Sequence, residues 1–233
     1  MSKSNSEMTH YFAEKPEPGK QVAQQVQLKN GTTISYYIYL PENYSTDTKF
    51  PLMLFLHGRG ERGDNPQELK RVLVHGPPKL IEQGKQFPCI VISPQQTTDN
   101  LWWTISNLLG FLPIIEEKYS ADSQRILCTG LSMGGFAAWC LAAELPGYFA
   151  AIAPVCGGGE VEWAEKLTQT PIWAFHGSKD DVIAIKRSEE MVEAIQKLKG
   201  NVKLTTYPDH GHDSWTITYN NPDFYQWLFS QHG

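Results

Sequence analysis

The stretch Arg125-Ile126-Leu127-Cys128-Thr129-Gly130-Leu131-Ser132-Met133-Gly134-Gly135-Phe136 decides how this chain folds. Ile126, Leu127 and Cys128 read as a short buried strand, and Phe136 to Leu145 as an Ala-rich helix stopped by Pro146-Gly147. Between them stands Gly130-x-Ser132-x-Gly134. A serine on so tight a strand-to-helix turn has a strained backbone, and its neighbours two positions away must lack bulk. Glycine, with no Cβ, meets that need. The helix that follows directs its unpaired N–H groups and the positive end of its dipole at the serine oxygen. With 19 glycines, a chain of this composition shows Gly-x-Ser-x-Gly by chance roughly 0.1 times, so the pattern alone is weak. Its place between a buried strand and a helix makes Ser132 the candidate nucleophile.

Working upstream, Pro51 to Leu56 and Phe87 to Ser93 are apolar runs expected of strands buried on both faces. Val22 to Leu28 and Thr33 to Leu40 alternate around the turn Lys29-Asn30-Gly31, which predicts a β-hairpin. Pro77 to Gln83 and Ser106 to Tyr119 read as helices, and Pro113 is expected to kink or shorten the second. Downstream, strands are predicted at Phe149 to Val155, Pro171 to Phe175 and Val202 to Tyr207. Helices are predicted at Val161 to Leu167, Ile185 to Lys199 and Pro222 to Phe229, with a loop over Asp209 to Trp215. This β-then-α order means an α/β fold: a mostly parallel sheet with helices on both faces, preceded by the hairpin. Residues 1–20 are polar, with Pro16, Pro18 and Gly19, and read as a flexible tail or an edge arm; 21–233 reads as one domain.

Composition narrows the function. Hydrophobic residues at 41% and charged residues at 19% are values of a chain that buries a core. A net charge of −5 leaves no basic face for phosphates, so nucleic acid is excluded as a partner. No apolar run approaches the ~18 residues of a membrane span, so no membrane partner is expected. Met1 to His10 is polar and lacks the apolar core of a signal peptide. Cys89, Cys128, Cys140 and Cys156 all sit in apolar contexts and read as buried free thiols, which points to the cytoplasm. No Cys/His spacing fits a metal site, and no cofactor is expected.

In such a sheet the site lies at the carboxyl ends of the strands. The polar candidates fall in the loops 57–64, 130–134, 176–183 and 209–215. A serine nucleophile needs a base and an acidic group to orient that base. After Ser132 the chain offers Asp180 or Asp181, then His210 or His212, in the order Ser, Asp, His. His57 and His176, each followed by Gly at a strand end, read as structural histidines that shape loops. His10, His75 and His232 read as solvated. Arg59, Glu61, Arg62 and Asp64 read as an ion-pair network on their own loop, and of the adjacent Trp102 and Trp103 the latter is assigned to the substrate pocket.

His57-Gly58-Arg59-Gly60-Glu61-Arg62-Gly63, Gly130-Leu-Ser-Met-Gly-Gly135, His176-Gly-Ser-Lys-Asp180 and Gly211-His212-Asp-Ser-Trp215 resemble one branch of the α/β-hydrolase superfamily. That branch holds esterases, phospholipases and peptidases, including dienelactone-hydrolase-like and polyhydroxybutyrate-depolymerase-like proteins, and the likeness covers nearly all of 22–230. The resemblance implies an α/β-hydrolase fold. Its His-Gly-x-x-Asp spacing selects Asp180 over Asp181, and its Gly-His pattern selects His212 over His210. It also implies that the backbone N–H groups of Arg59 and Met133 form the oxyanion hole. Dienelactone hydrolases themselves carry Cys at the elbow, where this chain has Ser132. The expected activity is that of a serine carboxylesterase on a small-molecule ester; a peptidase and a catalytically silent binding protein are the alternatives. The short connection between the strands ending at Val155 and starting at Pro171 leaves no room for a lid, so short-chain or small aromatic esters are the expected substrates.

Overall fold

The structure is a computed structural model that describes residues 11–12 and 15–233. Its centre is one sheet of eight strands: β1 (Gln21–Gln27), β2 (Thr33–Tyr39), β3 (Phe50–Leu56), β4 (Ile90–Pro94), β5 (Ala121–Leu131), β6 (Ala151–Val155), β7 (Ile172–Gly177) and β8 (Val202–Tyr207). Their spatial order is β1-β2-β4-β3-β5-β6-β7-β8. The expected hairpin, β1 against β2, is antiparallel and joins the rest through an antiparallel β2–β4 pair. The other five pairings are parallel.

Among the described residues six α-helices cover the sheet: α1 (Gly76–Glu82), α2 (Ile105–Lys118), α3 (Met133–Glu144), α4 (Lys186–Lys197), α5 (Trp215–Asn220) and α6 (Pro222–Phe229). Strand side chains alternate between two faces, and β3 shows the division. Leu52, Leu54 and Leu56 enter a core with Phe111 of α2, Trp139 of α3 and Ile195 of α4. Met53 and Phe55 enter a second core with Ile81 of α1, Tyr219 of α5 and Phe224 of α6. An uninterrupted apolar run is what a strand covered on both sides requires.

Two local expectations differ from what the chain does, and for one element there is no expectation. The 14-residue helix α2 runs through Pro113 without stopping. Proline costs a helix interior ~3 kcal/mol. Burying Leu108, Phe111, Leu112 and Ile115 returns ~1.5–3 kcal/mol each, so packing prevails. Residues 66–74 form a 3-10 helix capped by Asn65, whose side chain accepts the Glu68 N–H at 3.1 Å. It covers Ala23 and Tyr37 of the hairpin with Leu69 and Val72. Finally, β5 begins at Ala121, well before Ile126, and its pairing with β3 shifts register between Phe50 and Leu52.

The expectation of a tail over 1–20 falls mainly on residues outside those described. Within 15–20, Pro18 bridges Leu40, and the Gly19 N–H donates to the Leu40 carbonyl at 2.8 Å. Among the described residues no helix is long and apolar enough to cross a membrane.

Candidate active site

Ser132 sits between β5 and α3 with φ 52° and ψ −116°, a left-handed conformation that a non-glycine residue adopts only under constraint. The constraint is visible in its neighbours. A Cβ on Gly130 would lie 2.4 Å from the Gly134 carbonyl oxygen, and one on Gly134 only 1.9 Å from that of Leu56. The Ser132 N–H donates to Val155 O at 2.9 Å, fixing the turn to the end of β6. As the first residue of α3, Met133 has no intrahelical partner for its N–H.

Loops from β7 and β8 bring two more side chains to Ser132. His212 Nε2 lies 2.9 Å from Ser132 Oγ, and His212 Nδ1 lies 2.8 Å from Asp180 Oδ2. The Asp180 side chain is fully buried. Its Oδ1 accepts the N–H groups of Val182 at 2.9 Å and Ile183 at 2.8 Å. Burial alone would push this carboxyl up. The His212 hydrogen bond, the two backbone donors and the His212 charge outweigh burial and hold it below the usual aspartate value. Asp180 is therefore a carboxylate near neutral pH. Asp181 makes no such contact and is exposed, and His210 packs on Tyr207, its ring 5.5 Å away.

The facing wall is the loop after β3. Its base is His57, fully buried, whose Nδ1 donates to Gly58 O at 2.6 Å and whose Nε2 accepts the Gln96 N–H at 3.0 Å. Desolvation pushes His57 down to about 4, so the ring is neutral and its tautomer is set by those two partners. The 3-10 turn Arg59–Glu61 follows, with the Arg59 N–H at its first position. Arg62 ties the loop down by donating to Arg59 O at 3.0 Å and Asn100 O at 2.7 Å. Asp64 accepts the Thr98 N–H at 2.7 Å. In place of the expected ion-pair network of Arg59, Glu61, Arg62 and Asp64 the loop is held mostly by side-chain bonds to backbone; the ion pair nearby, Arg71–Glu68 at 2.7 Å, lies outside those four residues.

Ser132 and His212 open into a cavity of about 400 Å³, within the range of small-ligand sites. Here the structure departs from the assignment of Trp103. Trp102, 55% exposed, lines this cavity and packs edge-on against Phe136 at 5.4 Å. Trp103 turns under the loop, where its Nε1 donates to His57 O at 3.1 Å and its ring packs on His57 at 4.7 Å; it borders neighbouring clefts and not this cavity. The reason is local: the Thr104 N–H bonds Gln96 Oε1 at 3.0 Å, which fixes which of two consecutive indoles faces inward. His75, read as solvated, is half-buried in the cavity wall with its ring 5.3 Å from Trp215, and desolvation pushes it down. Trp215, the last residue of the Gly211–Trp215 motif, also lines the cavity, as do Val182 and Leu101, which no motif in the sequence marks. Glu61 faces the cavity with one buried oxygen lacking a partner, and burial pushes its carboxyl up against the N–H groups of Gly58 and Glu61.

The sheet order, the covering helices and the serine elbow are those of an α/β-hydrolase. A model of the dienelactone hydrolase family matches residues 104–221, just over half of the chain, and the chain belongs to that family. A bifunctional acetylxylan esterase/xylanase of Neocallimastix patriciarum is 26% identical over 168 residues, covering 69% of this chain and 23% of that protein. Acetylxylan esterase A of Aspergillus awamori is 25% identical over 207 residues, covering 79% of this chain and 66% of that protein. The chain thus spans about a quarter of the first of these relatives and about two thirds of the second. Among solved structures, a thermostable esterase is 31% identical with a TM-score of 0.76, covering 91% of this chain and 63% of that one. A feruloyl esterase module from Clostridium thermocellum matches over 93% of this chain and 90% of that one, with a TM-score of 0.66; at 22% identity it shares the fold.

Proposed function

We propose that this protein is a serine carboxylic ester hydrolase that cleaves short-chain or small aromatic esters through an acyl-enzyme. The observation that carries this reading is the unbroken chain from Ser132 Oγ to His212 (2.9 Å) to Asp180 (2.8 Å) at the edge of an apolar cavity. His212 Nε2 takes the Ser132 proton as Oγ attacks the ester carbonyl carbon. The N–H groups of Arg59 and Met133 receive the developing oxyanion, each worth ~3–4 kcal/mol by analogy with other hydrolases. As the carbonyl reforms, the proton passes from His212 to the alcohol oxygen and the alcohol leaves. Water then attacks the acyl-enzyme with His212 again as base, releasing the acid and restoring Ser132. Asp180, held as a carboxylate by burial-resistant hydrogen bonds, keeps Nδ1 of His212 protonated and stabilises its charged form.

Family membership and relatives described as acetylxylan and feruloyl esterases support ester hydrolysis as the chemistry. Cavity size supports the limit on substrate. About 400 Å³ accommodates a short acyl group or one aromatic ring, whereas a palmitoyl chain leaves methylenes in water at ~0.8 kcal/mol each. The test has two arms. Ser132→Ala should abolish both turnover and labelling by a fluorophosphonate while leaving Tm unchanged. Wild-type kcat/KM should be highest for acetyl, butyryl or benzoyl p-nitrophenyl esters. A higher value for palmitoyl, or efficient cleavage of unactivated peptides, overturns the substrate reading; full turnover by folded Ser132→Ala overturns the nucleophile.

A further inference from the structure

Behind the three side chains of the proposed mechanism lies a second imidazole that the mechanism leaves unused. His176, fully buried at the end of β7, places Nε2 3.1 Å from Asp180 Oδ2, the same oxygen that bonds His212. The same Nε2 is 2.9 Å from the Ile183 carbonyl. On its other side, His176 Nδ1 is 2.8 Å from Ser188 Oγ, and Ser188 Oγ is 2.8 Å from the Gly157 carbonyl. His176 and Ser188 are both closed to water, at 0% and 1% exposed, so no solvent can supply a missing hydrogen.

Donors and acceptors in this chain match in one way. The Gly157 carbonyl can only accept, so the single hydroxyl hydrogen of Ser188 points to it. Ser188 Oγ must then accept from His176 Nδ1–H. At the other nitrogen, both the Asp180 carboxylate and the Ile183 carbonyl can only accept, so Nε2 also carries hydrogen. A neutral ring would set two lone pairs against each other at 2.8 Å in a dry interior, a costly arrangement. A charged ring instead pairs directly with the buried Asp180 carboxylate, which is the condition for burying either charge.

We propose that His176 is a positioning residue for Asp180 that carries both ring protons in the resting protein; the inference rests on the Ser132–His212–Asp180 reading above. The surrounding groups leave Asp180 as its counter-charge. From α4, Arg187 turns away to Gly159 O and Glu160, both at 3.0 Å. At the end of β6 the Cys156 thiol, pushed up to about 12 by burial, is neutral. From β8, Thr206 pairs with His176, and the neighbouring Tyr207 hydroxyl accepts from Thr218 at 3.1 Å. Lys179 pairs with Asp209 out in solvent. With His176 charged, Asp180 holds His212 by geometry while part of its negative charge is already compensated. His212 then gains a proton less readily, and it keeps its base form to lower pH.

The test reads the ring nitrogens and the pH profile separately. In ¹⁵N-histidine-labelled, ligand-free protein near neutral pH, the resonances lost in His176→Gln should be those of a ring with two protonated nitrogens. Gln keeps a neutral donor toward Asp180, so it removes charge more than contact. The acid limb of kcat/KM should then move up by ~0.5–1 pH unit, a loss of about three- to tenfold on the acid side, because His212 now faces an uncompensated carboxylate. Ser188→Ala, which takes the acceptor from Nδ1, should move it the same way by less. One bare nitrogen in the wild-type ring, or a lowered kcat with the limb unmoved in both variants, overturns the proposal. An enzyme silent toward every ester would defeat the hydrolase reading and leave the nitrogen result standing.

Discussion

His57 and His176 are written alike. Each stands at the carboxyl end of a buried parallel strand, each precedes glycine, and each is wholly closed to solvent. Their partners make them different chemical objects. His57 gives one nitrogen to a carbonyl and takes an N–H at the other, so its two contacts specify a neutral ring. His176 meets acceptors at Nε2 and a hydroxyl at Nδ1 whose own hydrogen is already committed. One histidine braces the loop whose Arg59 N–H is proposed to receive the oxyanion; the other sits behind the carboxylate proposed to steady the base. The lesson is that a buried histidine's role is set by whether its neighbours donate or accept, a property that a His-Gly dipeptide does not display.

The sharpest break of this comparison is at the β7 end. Asp180→Asn removes the charge common to His176 and His212, and kcat should fall ~10³–10⁴-fold, whereas Asp181→Asn should stay within about twofold. Steady-state kinetics on both variants checks it, and the opposite ranking would move the acid by one position. At the β3 end the larger effect is on stability. His57 drops from 6.5 unfolded to about 4 folded, so between those values the unfolded chain binds the extra proton. Its stabilising contribution is therefore whole above pH 6.5 and shrinks as pH falls, by about 3 kcal/mol at pH 4. Denaturant titrations across that window should show the slope in wild type, in His176→Gln, and reduced in His57→Gln. The smallest effect concerns the indoles. Trp102→Ala should raise KM for a benzoyl ester by about three- to tenfold with Tm little changed, since the side chain is half in water while touching substrate space. An unchanged KM would remove Trp102 from the binding surface.

Much of this architecture is legible in the residues because it rests on strong, local signals. Leu-Met-Leu-Phe-Leu at 52–56 can only be a strand buried on both faces, and the glycines at 130 and 134 meet steric demands of under 2.5 Å. The 3-10 helix over 66–74 is less legible, since its apolar residues Leu69 and Val72 cover only a hairpin and its polar ones face water. Pro113 reads as a kink or an early end because the propensity is local, while the burial that overrides it belongs to the sheet beneath. The choice between Trp102 and Trp103 is illegible for a similar reason: one hydrogen bond from Thr104 to Gln96, across the loop, sets which indole turns in. The cavity's outer rim follows the same rule. Val182, Leu101 and Trp215 come from segments after three different strands, and only the closed fold brings them together.

The turn at Ser132 has an evolutionary consequence. Positions 130, 134 and 135 are frozen, because a methyl group at any of them would stand within about 2.5 Å of a carbonyl oxygen. Position 132 itself obeys the opposite rule. Its left-handed φ of 52° charges the same conformational cost to any side chain with a Cβ, whatever atom comes next. Exchanging Oγ for Sγ therefore leaves the scaffold indifferent, and a lineage built on this turn can drift between oxygen and sulfur nucleophiles by a single substitution while the surrounding glycines permit no drift at all.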